Sequence, residues 1–215
     1  MVKRVRSRGQ RRAEATRQHL LQAAQAVFAE KGLDLARIDE ITDRADVGKG
    51  TFYYHFKNKE GLIRELVQGL LRELIAEIDL RCTGKTTLTE LLDTLIQVHI
   101  EFFSNRWEDF VLYFQSRADL TLELSYAGIE TPFVMYLERI EAHVDAVVKR
   151  HLSKTVLRRI ACAVVGFLSG YYSFAAIASQ EEDIDQAFAS LRGAMVASLA
   201  RFVTEAAPVE EGTAG

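Results

Sequence analysis

An all-α fold is predicted by the scarcity of proline, the small number of glycines and the spacing of apolar residues. The 215-residue sequence contains only two prolines, Pro132 and Pro208, and 13 glycines. An all-β sandwich or barrel needs many tight turns, so this composition disfavours it. Hydrophobic residues make up 48% and charged residues 27% of the chain, which is typical of a globular protein. About nine helices with short connections fit these numbers.

The N-terminal part of the sequence predicts four helices. Apolar residues spaced for one helix face, Leu20, Ala24, Val27 and Phe28, predict a first helix over 16–31, with Gly32 just beyond its end. Two short helices over 37–45 and 49–56 follow, separated by a three-residue break. A long helix over 59–80 then carries an apolar stripe formed by Leu62, Leu66, Leu70 and Leu74.

The remaining helices are delimited mainly by capping signals. Thr87 and Glu90 have the spacing of a capping box, which opens a helix to about 105. Thr131 is expected to be an N-cap before Pro132, and Ser153 an N-cap for a strongly apolar helix. The expected helices after the capping box are 107–116, a short one around 120–126, 132–152, 154–179 and 184–203.

Charge is distributed unevenly along the chain. Residues 1–64 hold 14 Lys and Arg against 8 Asp and Glu, whereas residues 65–215 hold 13 against 22. A basic first third attached to an acidic remainder indicates that one part of the chain meets a polyanion. Residues 1–15 lack apolar periodicity and are expected to form a flexible basic arm, and residues 207–215 a disordered tail. A solvated tail without a role is the alternative for the basic residues.

The uncharged run 160–180 has two interpretations. Its length approaches that of a membrane-spanning helix, and Gly166 and Gly170 have GxxxG spacing. It also contains several serines and two tyrosines. A buried or interface helix is therefore the preferred interpretation.

The pair of short helices has the pattern of a helix-turn-helix. In the second helix, Phe52 and Phe56 share one face and can anchor it to the first. The opposite face carries hydroxyl, imidazole and ammonium groups that fit a DNA major groove about 12 Å wide. Lys57 and Lys59 follow, where lysines and main-chain N–H groups can bind phosphate.

The run VGKGTFYYHFKNKEGL, residues 47–62, resembles the recognition-helix signature of the TetR (tetracycline repressor) family of bacterial transcription regulators. The phrase VFAEKG, residues 27–32, resembles the end of the family's first helix, and the resemblance covers about 16–66. Four positions depart from the family pattern. Ala36 replaces a capping Thr, Thr42 replaces Ala, Asp46 replaces the turn Gly, and Gly48 replaces a capping Ser.

The resemblance implies a role for each matching residue. Thr51, Tyr53 and Lys59 are expected to bind phosphates, with Lys57 beside them. Lys49, Gly50, Tyr54 and His55 are expected to face bases or the groove wall, whereas Phe52 and Phe56 belong to the core. The basic arm would add contacts that do not depend on DNA sequence.

The resemblance also implies a domain organisation: a DNA-binding domain over 16–64, and a helical regulatory and dimerisation domain over 65–206. Family members are dimers whose last two helices form a four-helix bundle, which assigns Gly166, Gly170 and Phe174 to the dimer interface. A cavity for an unknown small-molecule effector is expected, with candidate lining residues His99, Phe103, Trp107, Phe110, Tyr113, Phe114, Tyr136, Arg139, His143 and Tyr171. Ordinary core packing is the alternative for each of them.

No enzymatic function is predicted, because the sequence contains no G-x-S-x-G, H-E-x-x-H or C-x-x-C motif. No metal or cofactor is expected either. The sequence therefore predicts a cytoplasmic, ligand-responsive repressor that binds a palindromic double-stranded DNA operator as a homodimer, without a membrane. A membrane-associated helical protein and a helical protein-interaction module without specific DNA binding are the alternatives.

Overall fold

The helical periodicity of the sequence corresponds to helices throughout the computed structural model, which describes residues 7–104, 106–119, 130–148, 152–178 and 184–205. The all-α prediction is confirmed. Nine helices lie within these ranges: α1 (Arg8–Leu35), α2 (Ile38–Arg44), α3 (Lys49–His55), α4 (Lys59–Cys82), α5 (Leu88–Ser104), α6 (Trp107–Asp119), α7 (Glu130–Val147), α8 (Lys154–Ala178) and α9 (Ile184–Glu205).

Two of the predicted caps are present. The Thr87 hydroxyl accepts a hydrogen bond from the Glu90 amide at 3.2 Å, and the Ser153 hydroxyl accepts one from the Val156 amide at 3.2 Å. Thr131 is not an N-cap, because α7 already begins at Glu130. That helix also ends at Val147 rather than at 152. The short helix expected around 120–126 falls outside the described residues.

Helix α1 begins at Arg8, inside the stretch that was expected to be a flexible arm. A reciprocal capping box explains this early start. The Ser7 hydroxyl accepts from the Gln10 amide at 3.2 Å, and the Gln10 side chain accepts from the Ser7 amide at 2.8 Å. Residues 8–15 are therefore helical rather than flexible. The first six residues and the expected tail at 207–215 lie outside the described residues.

The chain divides into two compact units. Unit 1 comprises Met1–Leu70 and Arg106–Pro132, and unit 2 comprises Leu71–Asn105 and Phe133–Gly215. In unit 1, α1 packs against α2, and α2 against α3. The predicted face of α1 and the stripe of α4 are buried in the cores, with residues Leu20, Ala24, Val27, Phe28, Leu62, Leu66, Leu70 and Leu74 at most 8% exposed.

Helix α6 belongs to unit 1, a placement that the sequence did not predict. Its Asp109 accepts a hydrogen bond from the Gln25 side chain of α1 at 2.7 Å. Its Gln115 accepts one from the Leu33 amide at 2.8 Å. The predicted division at 64/65 therefore differs from the observed units, because a helix far along the chain completes the N-terminal one.

Unit 2 is built around α5, which packs against α8 and α9. Leu91, Leu92, Leu95 and Ile96 of α5 are fully buried, as are Ile160 and Val164 of α8. This packing accounts for the apolar character of α8. Among the described residues, none of the helices has the length and hydropathy required to cross a bilayer.

The conformation of Gly32 predicts a stability effect. Its φ of +80° and ψ of 166° interrupt α1, and an added Cβ would lie 3.4 Å from the Gln115 amide group. We expect Gly32→Ala to lower the free energy of unfolding by about 1–3 kcal/mol, because only glycine adopts this conformation without strain. Urea denaturation measures the change.

Gly69 provides the matched control. It lies inside α4, and an added Cβ would have no atom within 4 Å. Gly69→Ala should leave stability unchanged or raise it by about 0.5–1 kcal/mol, because alanine favours the helix. Equal effects of the two substitutions would contradict the assigned strain at Gly32.

Candidate nucleic-acid interface

Helix α3 is anchored by two aromatic side chains. It has only seven residues, and its N-cap Gly48 supplies no side-chain hydrogen bond, so the helix has little stability of its own. Phe52 is fully buried and Phe56 is 5% exposed, with ring centroids 5.7 Å apart. The prediction that both rings belong to the core is confirmed. Their burial fixes which residues of α3 face outward.

The turn before α3 adopts the conformation that its sequence permits. Asp46 has a φ of +50°, in the left-handed region that aspartate tolerates better than most residues. The Val47 amide donates to the Thr42 carbonyl at 3.0 Å, and the Thr51 amide donates to the Gly48 carbonyl at 2.9 Å. Aspartate in place of glycine therefore preserves the tight break between α2 and α3.

The outward face of α3 brings together six of the predicted DNA-contacting residues. Tyr53 and Tyr54 are 55% and 77% exposed, which is unusual for rings of this size in a folded protein. Gly50 is exposed, and no atom lies within 4 Å of the position of an added Cβ, so a ligand surface can approach the helix closely. The face as a whole offers hydroxyl, imidazole and ammonium groups, from Lys49, Gly50, Thr51, Tyr53, Tyr54 and His55. Their contact with DNA remains a prediction.

A cleft of about 530 Å³ lies beside the end of α3. It is lined by Tyr54 and His55 together with residues of the first turns of α1: Gln10, Ala13, Glu14 and Arg17. The Arg17 guanidinium lies 5.3 Å from the centre of the Phe56 ring and forms an ion pair with Glu65. Arg17 therefore supports α3 structurally. In the sequence it was only one of the 14 lysines and arginines of residues 1–64.

Lys57 and Lys59 have different surroundings. Lys57 is exposed in the break between α3 and α4. The Lys59 ammonium donates to three main-chain carbonyls near the end of α1: Leu33 at 2.7 Å, Ala36 at 3.1 Å and Asp34 at 3.2 Å. An ammonium group has three N–H donors, so these bonds use all of them. The phosphate contact expected of Lys59 would have to break one of these bonds.

Asp39 was not identified by sequence reasoning. Its carboxylate pairs with the Lys49 ammonium at 2.8 Å, which joins the first turn of α2 to the first residue of α3. The hydrogen bond from Lys49 lowers the pKa of Asp39, and the bond to Asp39 raises the pKa of Lys49. Only the opposite charges in neighbouring short helices could have indicated this pair in the sequence.

The candidate effector residues are divided between the two units. In unit 2, His99, Phe103 and Tyr136 are buried. In unit 1, Phe110 and Tyr113 are buried, whereas Phe114 is 38% exposed and stacks on Phe110 with centroids 6.0 Å apart. The side chains of Trp107 and Tyr171 lie outside the described set. An effector-binding role of these residues remains a prediction.

Four of the candidate effector residues make polar contacts inside unit 2. His99 lies between the Leu95 carbonyl, 2.6 Å from Nδ1, and the Tyr136 hydroxyl, 2.5 Å from Nε2. His143 and Arg139 both contact Asp79, at 2.8 and 3.2 Å. Within the described part of the chain, no group of three or more His, Cys, Asp or Glu side chains is placed to bind a metal ion.

The contacts of Lys59 predict a structural effect. Lys59→Met keeps the aliphatic stem but leaves the three carbonyls without their donor, so we expect a loss of about 1–3 kcal/mol in the free energy of unfolding. Lys57→Met, at the exposed neighbouring lysine, should change stability by less than about 0.5 kcal/mol. Urea denaturation of both variants tests this, and equal stabilities would mean that the three carbonyl bonds do not stabilise the fold.

The burial of His99 predicts acid sensitivity. Burial lowers its pKa from 6.5 to about 4, partly opposed by the hydrogen bond to Leu95. Between pH 6.5 and 4 the unfolded chain binds a proton at this histidine that the folded chain does not. The free energy of unfolding therefore decreases as the pH is lowered, by up to about 3 kcal/mol. We expect the free energy of unfolding of His99→Gln to vary less between pH 7 and 5 than that of the unmodified protein. Parallel pH profiles of the two proteins would contradict this.

The region around α3 is similar to a family of known proteins. Residues 20–66 match the model of bacterial regulatory proteins of the tetR family. The chain is 34% identical over 122 residues to the HTH-type transcriptional regulator YvdT of Bacillus subtilis, covering 56% of this chain and 62% of that one. It is 27% identical over 168 residues to the TetC protein of transposon Tn10 from Escherichia coli, covering 76% and 80%. The HTH-type transcriptional repressor KstR2 of Mycolicibacterium smegmatis is 31% identical over 97 residues, covering 45% and 47%.

Solved structures share the fold beyond the helix-turn-helix. The transcriptional regulator FadR from Bacillus subtilis, solved in complex with stearoyl-CoA, matches with a TM-score of 0.66 at 20% identity, over 87% of this chain and 97% of that one. Salmonella enterica GusR matches with a TM-score of 0.64 at 18% identity, over 88% and 94%. The helix-turn-helix region of the chain, residues 20–66, is therefore similar to the tetR family of bacterial regulatory proteins, and the fold of the chain is shared with these solved structures.

Proposed function

We propose that this protein is a transcriptional regulator that binds a palindromic operator as a homodimer and is released from it by a small-molecule effector. The observation that carries the proposal is the outward face of α3, where two exposed tyrosines accompany polar and basic groups on a helix fixed by its buried face. Exposed rings with hydroxyl groups are costly on a free surface but suit a helix that enters a major groove. A place of action in the cytoplasm, where bacterial DNA lies, follows from this proposal.

The exposed face of α8 supports the homodimer. Within α8, Cys162, Ala163 and Gly166 are exposed and Gly170 is half-buried, so small residues occupy the surface of an otherwise apolar helix. Exposed small residues also occur on α9, at Gly193, Ala194 and Ala197. Small side chains allow two helices to approach closely, which suits a two-fold interface. The side chain of Phe174, also expected in this interface, lies outside the described residues.

Two-fold symmetry gives the operator its form. A symmetric dimer presents two copies of α3 about one DNA turn apart, or a multiple of that distance, and so selects half-sites of inverted sequence. Repression is supported by the named function of KstR2, and a small-molecule effector by the stearoyl-CoA bound to FadR.

The test is a selection of duplex DNA on the purified protein at ~150 mM salt, where weak phosphate attraction is reduced. We expect an inverted repeat to be enriched. Thr51→Ala combined with Tyr53→Phe should weaken binding to it about 10- to 100-fold, because two hydroxyl contacts to phosphate are lost.

Thr89 on α5 supplies the control, since it is an exposed threonine in unit 2. Thr89→Ala should bind the selected duplex like the unmodified protein. Unchanged affinity of the α3 double variant would mean that α3 does not contact DNA. A protein that enriches no duplex would be better explained as an interaction module.

A further inference from the structure

The ion pair between Asp39 and Lys49 stands at the part of α3 that enters the groove first. Lys49 is the first residue of α3, and in helix-turn-helix proteins the N-terminal residues of the recognition helix contact base edges. The ammonium and carboxylate are 2.8 Å apart, with side chains 61% and 44% exposed. Both groups can therefore contact a ligand without a prior conformational change.

Stability does not account for this pair. Ion pairs between exposed side chains contribute little to folding, because water screens them and ordering two side chains costs entropy. A carboxylate beside the recognition helix also repels DNA phosphates, which would weaken a purely electrostatic interface. Asp39 cancels the charge of Lys49 at the place where an unpaired lysine would bind phosphate most readily. The arrangement is better suited to recognising bases than to attracting the DNA backbone.

The pair matches the major-groove edge of a guanine–cytosine base pair. Guanine presents two adjacent acceptors, N7 and O6, and cytosine presents the N4 amino donor beside them. O6 and N4 are joined by a base-pair hydrogen bond of about 2.9 Å, which is close to the separation of the Lys49 and Asp39 atoms. An ammonium bonded to one carboxylate keeps two N–H donors, enough for N7 and O6. The carboxylate keeps lone pairs for N4.

An adenine–thymine pair fits this arrangement less well. In the same orientation adenine offers the ammonium one acceptor, N7, beside its N6 amino group, which is a donor, and thymine turns its O4 acceptor toward the carboxylate. The second free N–H of the ammonium would then lack a partner in a site from which water has been displaced, which is costly. The chemistry of the pair therefore favours guanine–cytosine over adenine–thymine.

We propose that Asp39 and Lys49 together recognise one guanine–cytosine base pair in each half of the operator, with Lys49 donating to guanine N7 and O6 and Asp39 accepting from cytosine N4. This inference rests on the proposed function and assigns a specificity-determining role to Asp39. Because the pair is already formed in the free protein, the two side chains need little rearrangement when they meet the base pair.

The test compares duplexes selected by three proteins: the unmodified chain, Asp39→Asn and Glu30→Gln. Glu30 is the matched control, because it is also an exposed carboxylate of unit 1, pairs with Arg44 at 2.6 Å, and loses the same charge. The unmodified chain should enrich an inverted repeat with an invariant guanine–cytosine pair in each half. Changing that pair to adenine–thymine should weaken its binding about 5- to 100-fold.

The asparagine variant should lose this preference. With Asp39→Asn we expect the same change of base pair to alter affinity less than about 3-fold, while binding to random duplex DNA becomes tighter and more salt-dependent. Glu30→Gln should keep the full preference. Circular dichroism and urea denaturation establish that all three proteins are equally folded.

The outcomes separate this inference from the proposed function. If Asp39→Asn selects the same operator with the same base preferences, the inference is wrong and the proposed function stands. The same conclusion follows if the unmodified chain selects an operator without an invariant guanine–cytosine pair. If the unmodified chain enriches no duplex at all, the proposed function fails and the inference fails with it.

Discussion

Burial of the Phe52 and Phe56 rings is the constraint on which the candidate interface depends. A seven-residue helix without a side-chain N-cap does not persist in water, so the free energy that maintains α3 comes from its buried face. Two buried rings one turn apart also fix the rotation of the helix about its axis. The outward direction of Tyr53 and Tyr54 follows from that rotation. Arg17 completes the arrangement, because its guanidinium covers the Phe56 ring while Glu65 balances its charge.

Polar contacts close the end of α1, where apolar packing alone would leave main-chain groups unpaired. A helix terminus leaves carbonyls without intrahelical partners, and Lys59 donates to three carbonyls in this region. Gly32 turns the chain, and Gln115 of α6 then accepts a hydrogen bond from the Leu33 amide. Three segments distant in sequence are thereby joined through directional bonds. A displacement of α6 within unit 1 would have to break the bond between Leu33 and Gln115 or move the end of α1 with it.

The candidate effector residues of unit 2 already have partners. His99 is bonded to Tyr136 and to the Leu95 carbonyl, and Asp79 is shared by Arg139 and His143. An effector that hydrogen-bonds to these groups must displace their present partners. Its affinity therefore depends on the difference in free energy between the bonds that it forms and the bonds that it breaks. Burial also keeps His99 neutral near pH 7, because its pKa is about 4. Its ring therefore provides hydrogen bonding, not charge.

The sequence by itself determined the features that depend on neighbours within about four residues: helix periodicity, the caps at Thr87 and Ser153, and the left-handed Asp46. The helical spacing of Phe52 and Phe56 also indicated which face of α3 is turned outward. Only the tertiary structure decided that α6 packs on α1, that Lys59 binds carbonyls, and that Asp39 pairs with Lys49. These contacts join residues 10 to 84 positions apart. Local periodicity does not reveal such pairs, because they form only when whole helices pack and bring particular side chains together.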